Sequence, residues 1–503
     1  MKKRPFSIKR PLKLPFTVKW HNSLEKTGIL LLHQLNFCVH GHFYQPPRVD
    51  PFTGVIPEEY GASPYSNWTE KIYHECYQPN ASAGNFQKIS FNIGATLLEW
   101  LDQYHPETVR AIVEQEAMVF QRFGVSNAMA QPYFHYIMPL ASAREKDTMV
   151  RWGIRDYEVH FGRRPQGMWL PETAVDLASL EALADHGITF TILAPWQAKD
   201  PALDTSKPWN VKLPNGKNMV VFFYNSFLSG EISFNPGATE NADDFVQKWL
   251  IPQSQTLSRP GDQIILAASD GELYGHHQPY REKFLAYLLD GAVEKQDIQR
   301  EFPALWLRDH PAEDYAEIIE NTSWSCHHGI ERWRDVCGDA PTAIWKKPLR
   351  QFLIELANAI DAIYEIRLKN LIREPWTLRD EYSDVLLETI KIDELIQRHA
   401  TQTLTPGQGS MVKLLVQAQF ERLRMFSSDA WFFFDLDRIE PLNALKYAAH
   451  AANLVEQATG QDPSDGLISI ISEARSELSG LTGEMAFLGY LKKFENLLRL
   501  DQS

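Results

Sequence analysis

The spacing of apolar residues changes character once along the chain. From Leu35 to about Trp345, short apolar runs alternate with amphipathic stretches, the pattern of strands each followed by a helix in a largely parallel sheet. The spacing predicts strands over Leu35–Val39, Ile89–Asn92, Gly167–Leu170, Ile188–Leu193, Met219–Phe223 and Asp262–Ala267. The clearest unit is GMWL as a strand, then a helix over Thr173–His186 with Leu177, Leu180 and Leu183 on one stripe. Gly187 is its stop, and ITFTIL the next strand.

Beyond Pro348 the strand pattern disappears. Leu349, Phe352, Leu353, Leu356, Ile360 and Ile363 recur every three or four residues, which predicts a helix with an apolar face in need of partners. The same period returns over Met411–Phe426, Leu442–Gln457 and Gly466–Leu500, so the last third is expected to be a helical bundle. TPGQGS, Thr405 to Ser410, is the best internal loop. Trp431 to Phe434 is too apolar for an exposed turn and is expected to plug against the preceding domain, with Trp431, Asp435 and Asp437 as minor cleft candidates.

Three parts follow: a basic extension over residues 1–34, an α/β domain over 35–345, and a helical domain over 346–503. A length of 503 residues suits that division. The net charge of −14 argues against nucleic acid as a partner, since phosphate affinity needs a basic face. The first 26 residues are basic, but the apolar run Gly28–Leu32 is broken by His33 and Gln34, so no signal peptide is expected. No run approaches a membrane span, and the four cysteines suit a reducing compartment, so the expectation is a cytoplasmic protein. Cys326 and Cys337 lie either side of His327 and His328, but their spacing fits no standard zinc site and no metal is expected there. Fourteen Trp and eighteen Tyr exceed what a core requires, and flat amphipathic rings are what sugar clefts use.

Two carboxylates stand out. Glu172 and Asp270 each follow directly on a predicted parallel strand, and the C-terminal rim of a barrel is where catalytic groups collect. Two acids on one rim suit an acetal carbon: one donates a proton to the leaving oxygen while the other attacks as the anion. A Glu opening a helix also simply favours its dipole, and Asp-Gly is an ordinary turn pair. The surroundings tip the balance, because DGELYGHH, Asp270 to His277, concentrates acids, a Tyr and two His in one loop, as a wet cleft requires.

VHGHFYQPPR, Val39 to Arg48, also follows a strand. His40 and His42 share one side of it, fit either to hydrogen-bond sugar hydroxyls or, with Asp270, to hold a metal. No HExxH, Walker A, GxSxG or GxGxxG motif points to another class.

In order along the chain, these segments resemble the five regions of glycoside hydrolase family 57. VHGHFYQP is similar to the first, with His42, Gln45 and Pro46 in place and Phe43-Tyr44 as an insertion-like departure; ISFNIGATLLEWL is similar to the second, with Asn92 on the rim. GMWLPE and ASDGELYGHH are similar to the third and fourth, and TSWSCHHGIERW is a looser fifth. PYFHYIMPL resembles the segment between the second and third and brings His135 near substrate. MFSSDAWFFFDLDRIEPLNALKYAA resembles the helical extension of one bacterial branch.

The resemblance implies a distorted (β/α)7 TIM-like barrel, an α/β fold, followed by a helical bundle. It also implies a retaining glycosidase or glucanotransferase acting on α-glucan, with no cofactor and no metal in the chemistry. Glu172 is then the nucleophile and Asp270 the general acid/base. His40, His42, Gln45, Asn92, His135 and His276 are expected around the sugar, with the rings of Trp169, Tyr274 and Trp324 against it. Two other readings stay open: a metal-dependent carbohydrate deacetylase or mannosidase built on His40, His42 and Asp270, and a glycan-binding protein without turnover. The presence of both acids argues against the latter.

Overall fold

The computed structural model describes residues 34–257 and 261–501; the basic stretch ahead of Gln34 lies outside the described residues. Its strands are β1 (Leu35–Phe43), β2 (Ser90–Ile93), β3 (Ala128–Met129), β4 (Phe190–Leu193), β5 (Trp209–Lys212), β6 (Asn218–Phe223), β7 (Gln263–Asp270) and β8 (Gln299–Arg300). They form one sheet in the order β3-β2-β1-β7 with β8 beside the start of β1, and a second in the order β4-β6-β5. All pairs are parallel except β5 with β6. β1 is buried from Asn36 to Phe43, as a parallel strand covered on both faces must be.

The GMWL segment is not a full strand. Single bridges, Ala130 to Met168 and Gly167 to Phe190, hold it between β3 and β4. A Cβ at Gly167 would stand 2.3 Å from the Phe190 ring, so only glycine permits this approach. At the opposite seam, Asn225 N, just past β6, donates to Leu266 O of β7 at 2.7 Å. β7, β1, β2, β3, Gly167–Leu170, β4 and β6 therefore close a ring of seven staves, loosely joined at two places. This is a distorted (β/α)7 barrel, the fold expected from the sequence.

The helix after GMWL begins later than the periodicity predicts. It runs over Leu177–Asp185, capped by Asp176, whose side chain accepts from Ser179 N at 2.7 Å. The residues before it form a single tight turn, Pro171–Thr173, in which Glu172 has φ 56° and ψ 17°. Glu172 is thus no helix-starting residue, and its backbone occupies a left-handed conformation that non-glycine residues seldom adopt.

After the barrel, the long helices are Lys346–Leu368, Pro406–Arg424, Ile439–Thr459 and Gly483–Asp501. Leu349, Phe352, Leu353, Leu356 and Ile360 are fully buried, which gives the predicted stripe its partners. TPGQGS is not a loop. Thr405 and Gln408 form a capping box that starts the helix Pro406–Arg424, with Pro at its first position and the glycines inside. The helix expected over Gly466–Leu500 is interrupted: Ile468–Ser472 ends at a Ser- and Gly-rich turn that an Arg475–Thr482 bridge closes before Gly483–Asp501 begins. Among the described residues, no helix is long and apolar enough to cross a membrane.

Candidate active site

Parallel pairing delivers the site. His42 and Asp270 are register partners across β1 and β7, and His42 and Asn92 across β1 and β2, so three strands end at one rim. A cavity of about 740 Å³ opens there, and Glu172, Asp270, His42, Gln45, His135, His276 and Trp324 line it. The remaining residues expected against substrate stand behind this wall. His40, Asn92, Trp169 and Tyr274 are all buried, and none lines the cavity.

Those buried residues hold the wall in place. Trp169 stacks beneath His40 and His42, with ring centroids 4.8 and 5.2 Å away. Tyr274 shares a hydrogen bond with Ser269 at 3.1 Å. Burial pushes His40 and His42 down to about 3 and His135 well below its ordinary value, so all three imidazoles are neutral. One set of tautomers then satisfies the network. His40 Nδ1 accepts from Ser90 at 2.9 Å and its Nε2 donates to Asn92 Oδ1 at 3.2 Å. Asn92 Nδ2 donates to Gln131 at 2.7 Å and to His42 Nδ1 at 3.0 Å. His42 Nε2 donates to His135 Nε2 at 3.1 Å, and His135 Nδ1 to Ser428 Oγ at 2.6 Å. Both ring nitrogens of His40 and of His42 are occupied in this way, which disfavours the metal centre weighed for His40, His42 and Asp270.

The two carboxylates sit in contrasting surroundings. Glu172 Oε2 accepts from Trp324 Nε1 at 3.0 Å and from Ser325 Oγ at 2.6 Å. Burial raises its pKa, and these two donors hold the rise back. Asp270 opens onto the cavity, yet withdrawal from bulk water, then repulsion from Glu272 and Glu172, push it up to about 8. Among the described residues, no hydrogen bond opposes that rise. Glu272, itself pushed up to about 7 by burial, accepts from Tyr77 at 2.7 Å and from Tyr44 N at 3.0 Å. Two donors favour the anion at Glu172, whereas none among the described residues offsets the rise at Asp270, so the two carboxyls are held in different surroundings.

Several cavity residues were not expected against the substrate from the sequence. Tyr44, in the insertion-like pair, donates to Asp429 at 2.9 Å across 385 positions of chain. Ser428, Asp429, Phe432, Phe433, Arg438 and Glu440 come from the helical part, beside the Trp431 plug. Trp431 itself is fully buried on the Arg350 guanidinium, 3.9 Å from its ring, and neither it nor Asp435 or Asp437 lines the cavity. Trp196 and Tyr224 extend the aromatic wall of Trp324, with centroids 5.9 and 6.4 Å apart in sequence around the rim. The local signal for Trp196 was only its place directly after a strand.

The family model described as glycosyl hydrolase family 57 matches residues 39–318, and a domain of unknown function, DUF3536, matches residues 342–487. No curated protein matches. Among solved structures, the chain is similar to an exo-type maltose-forming amylase from Pyrococcus sp. ST04, with TM-score 0.68 and 14% identity over 91% of this chain and 88% of that one. It is also similar to a branching enzyme from Thermococcus kodakaraensis, with TM-score 0.58 and 14% identity over 92% and 95%. A third similarity is to a 4-α-glucanotransferase from Thermococcus litoralis, with TM-score 0.55 and 14% identity over 86% of this chain and 62% of that one.

Proposed function

The chain belongs to glycosyl hydrolase family 57, and from that premise we propose that it acts on α-glucan by double displacement, with Glu172 as nucleophile and Asp270 as general acid/base. The observation that carries this reading is the contrast between the two acids on one cavity. Glu172 holds two donors on a single carboxylate oxygen, whereas Asp270 is kept protonated near neutral pH by its surroundings and by the charges of Glu272 and Glu172.

Glu172 attacks the anomeric carbon while Asp270 gives its proton to the departing glycosidic oxygen. The resulting glycosyl-enzyme is released when Asp270, now the base, takes a proton from water or from a sugar hydroxyl, with retention of configuration. The acceptor decides between hydrolysis and transfer. We assign residues 35–345 as the catalytic barrel and the helices from Lys346 onward as a second part that walls the cleft through Ser428 to Glu440. The rings of Trp196, Tyr224, Trp324, Phe432 and Phe433 suit the C–H faces of a glucan chain.

Product chromatography tests the reading. Wild type and Glu172→Gln are incubated with maltoheptaose, soluble starch and glycogen. Shorter or longer glucans from wild type alone are the expected result, and their size distribution identifies the acceptor. Absence of products on all three removes α-glucan as the substrate class.

A further inference from the structure

The loop that grips Glu172 runs on, one residue past Ser325, into a cluster the glucan chemistry does not use. Cys326 and Cys337 are buried, with their sulfurs 3.5 Å apart. Cys337 Sγ lies 3.3 Å from His328 Nδ1, which lies 3.8 Å from Asp339 Oδ1. One ligand atom from each of the four residues falls within 4.8 Å of all the others, and among the described residues this is the one such gathering.

These separations have a geometric meaning. Four ligands around a tetrahedral zinc, with Zn–S about 2.3 Å and Zn–N about 2.0 Å, stand roughly 3.4–3.8 Å from one another. A disulfide instead needs its sulfurs at about 2.05 Å. At 3.5 Å the sulfurs stand too far apart for a disulfide and near enough for both to reach one tetrahedral ion with a small adjustment. Backbone geometry prepares the cradle: Gly329 N bonds to Cys326 O at 3.1 Å and Ala340 N to Cys337 O at 2.8 Å, closing a turn behind each sulfur. Gly338 lets the imidazole lie across the second turn, since a Cβ there would stand 2.6 Å from His328 Nε2. Asp339 divides its oxygens, with Oδ2 on Arg332 at 3.1 Å and Oδ1 facing His328.

We propose that Cys326, His328, Cys337 and Asp339 form a zinc site that clips the loop carrying Trp324 and Ser325. Two thiolates and a borderline nitrogen favour zinc over magnesium or calcium, which take oxygen ligands. Loading displaces the thiol protons to solvent, and the charge of the thiolates and carboxylate is then balanced by the metal and by Arg332. His328 and Asp339 are exposed, so the metal enters from solvent. The spacing C-x-H, then a segment that includes the short helix Glu331–Arg334, then C-x-D explains why no familiar motif announced the site.

The test is metal analysis of the full chain purified without a polyhistidine tag. We expect about one zinc per chain after dialysis. Chelator-stripped wild type regains it, and cobalt in its place gives thiolate charge-transfer bands and the intense visible bands of a tetrahedral centre. Cys326→Ser with Cys337→Ser abolishes both, whereas Asp339→Ala keeps the thiolate bands and binds more weakly. Because the double variant risks misfolding, the wild-type reloading decides. A stripped wild type that takes up neither zinc nor cobalt overturns the proposal, as does an isolated chain whose mass is lighter by the hydrogens lost to a Cys326–Cys337 disulfide.

Discussion

Ser325 Oγ donates to Glu172 Oε2 at 2.6 Å, tying the turn after GMWL to a loop some 150 residues later in the chain. This bond favours the ionised carboxylate, so losing it raises the Glu172 pKa further. Ser325→Ala is expected to move the acidic limb of kcat/KM upward by roughly one pH unit. A pH–rate profile of the variant against wild type checks this, and an unmoved acidic limb assigns that limb to another group.

In the proposed mechanism Asp270 sets the opposite limb. Its protonated form would serve the first step, so activity is expected to fall as pH rises through its value of about 8. Glu272 contributes to that value by repulsion, and Glu272→Gln keeps an acceptor for Tyr77 and Tyr44 N while removing the charge. The basic limb should then move to lower pH. Asp270→Asn should lower kcat by about 10²–10⁴ on unactivated glucan.

Phe433 lies on the helical side of the cavity, its ring under the Arg438 guanidinium at 4.7 Å. Phe433→Ala is expected to raise KM for maltoheptaose roughly three- to tenfold, the worth of one stacked ring, with kcat nearly unchanged. Steady-state kinetics separate the two constants; a fall in kcat alone would place Phe433 near the reacting atoms instead.

Arg422 joins the two parts of the chain. Its buried guanidinium bonds to Glu145, on the barrel helix Ala143–Phe161, and to Asp361 at 2.9 Å. Arg422→Leu leaves both acids without their cation and should cost about 3–5 kcal/mol in unfolding free energy. Burial raises the Glu145 pKa, but the charge and hydrogen bond of Arg422 outweigh it and hold it below 4.5. The stabilisation is therefore present above pH 4.5 and lost as pH falls through the lower folded value. Denaturant titrations across that range should show a steeper acid loss in wild type than in the variant.

Much of this was legible in the chain because its cause is local. Apolar period separates the barrel from the helices, and Glu172 and Asp270 are marked by standing directly after strands, where any parallel barrel turns its loops toward one rim. Capping chemistry was equally local but was misjudged at TPGQGS, where Pro and Gly suggest a loop although Thr405 and Gln408 close a capping box. Other features depend on partners far away. Glu172 takes a left-handed conformation, and its carboxylate meets Trp324 and Ser325, which no nearby residue predicts. His40, Asn92, Trp169 and Tyr274 carry sugar-binding chemistry in their side chains, yet packing against the residues of the rim leaves them buried behind the wall. Tyr44 meets Asp429, and Cys326 meets Cys337, only once turns and helices are packed. Spacing thus determined the parallel βα part, the helices after it and the placing of two acids directly after strands, because each of these arises from residues close together in the chain. Tertiary structure decided which polar groups face the cavity and which support it, because that choice is made by residues hundreds of positions apart competing for the same buried hydrogen bonds.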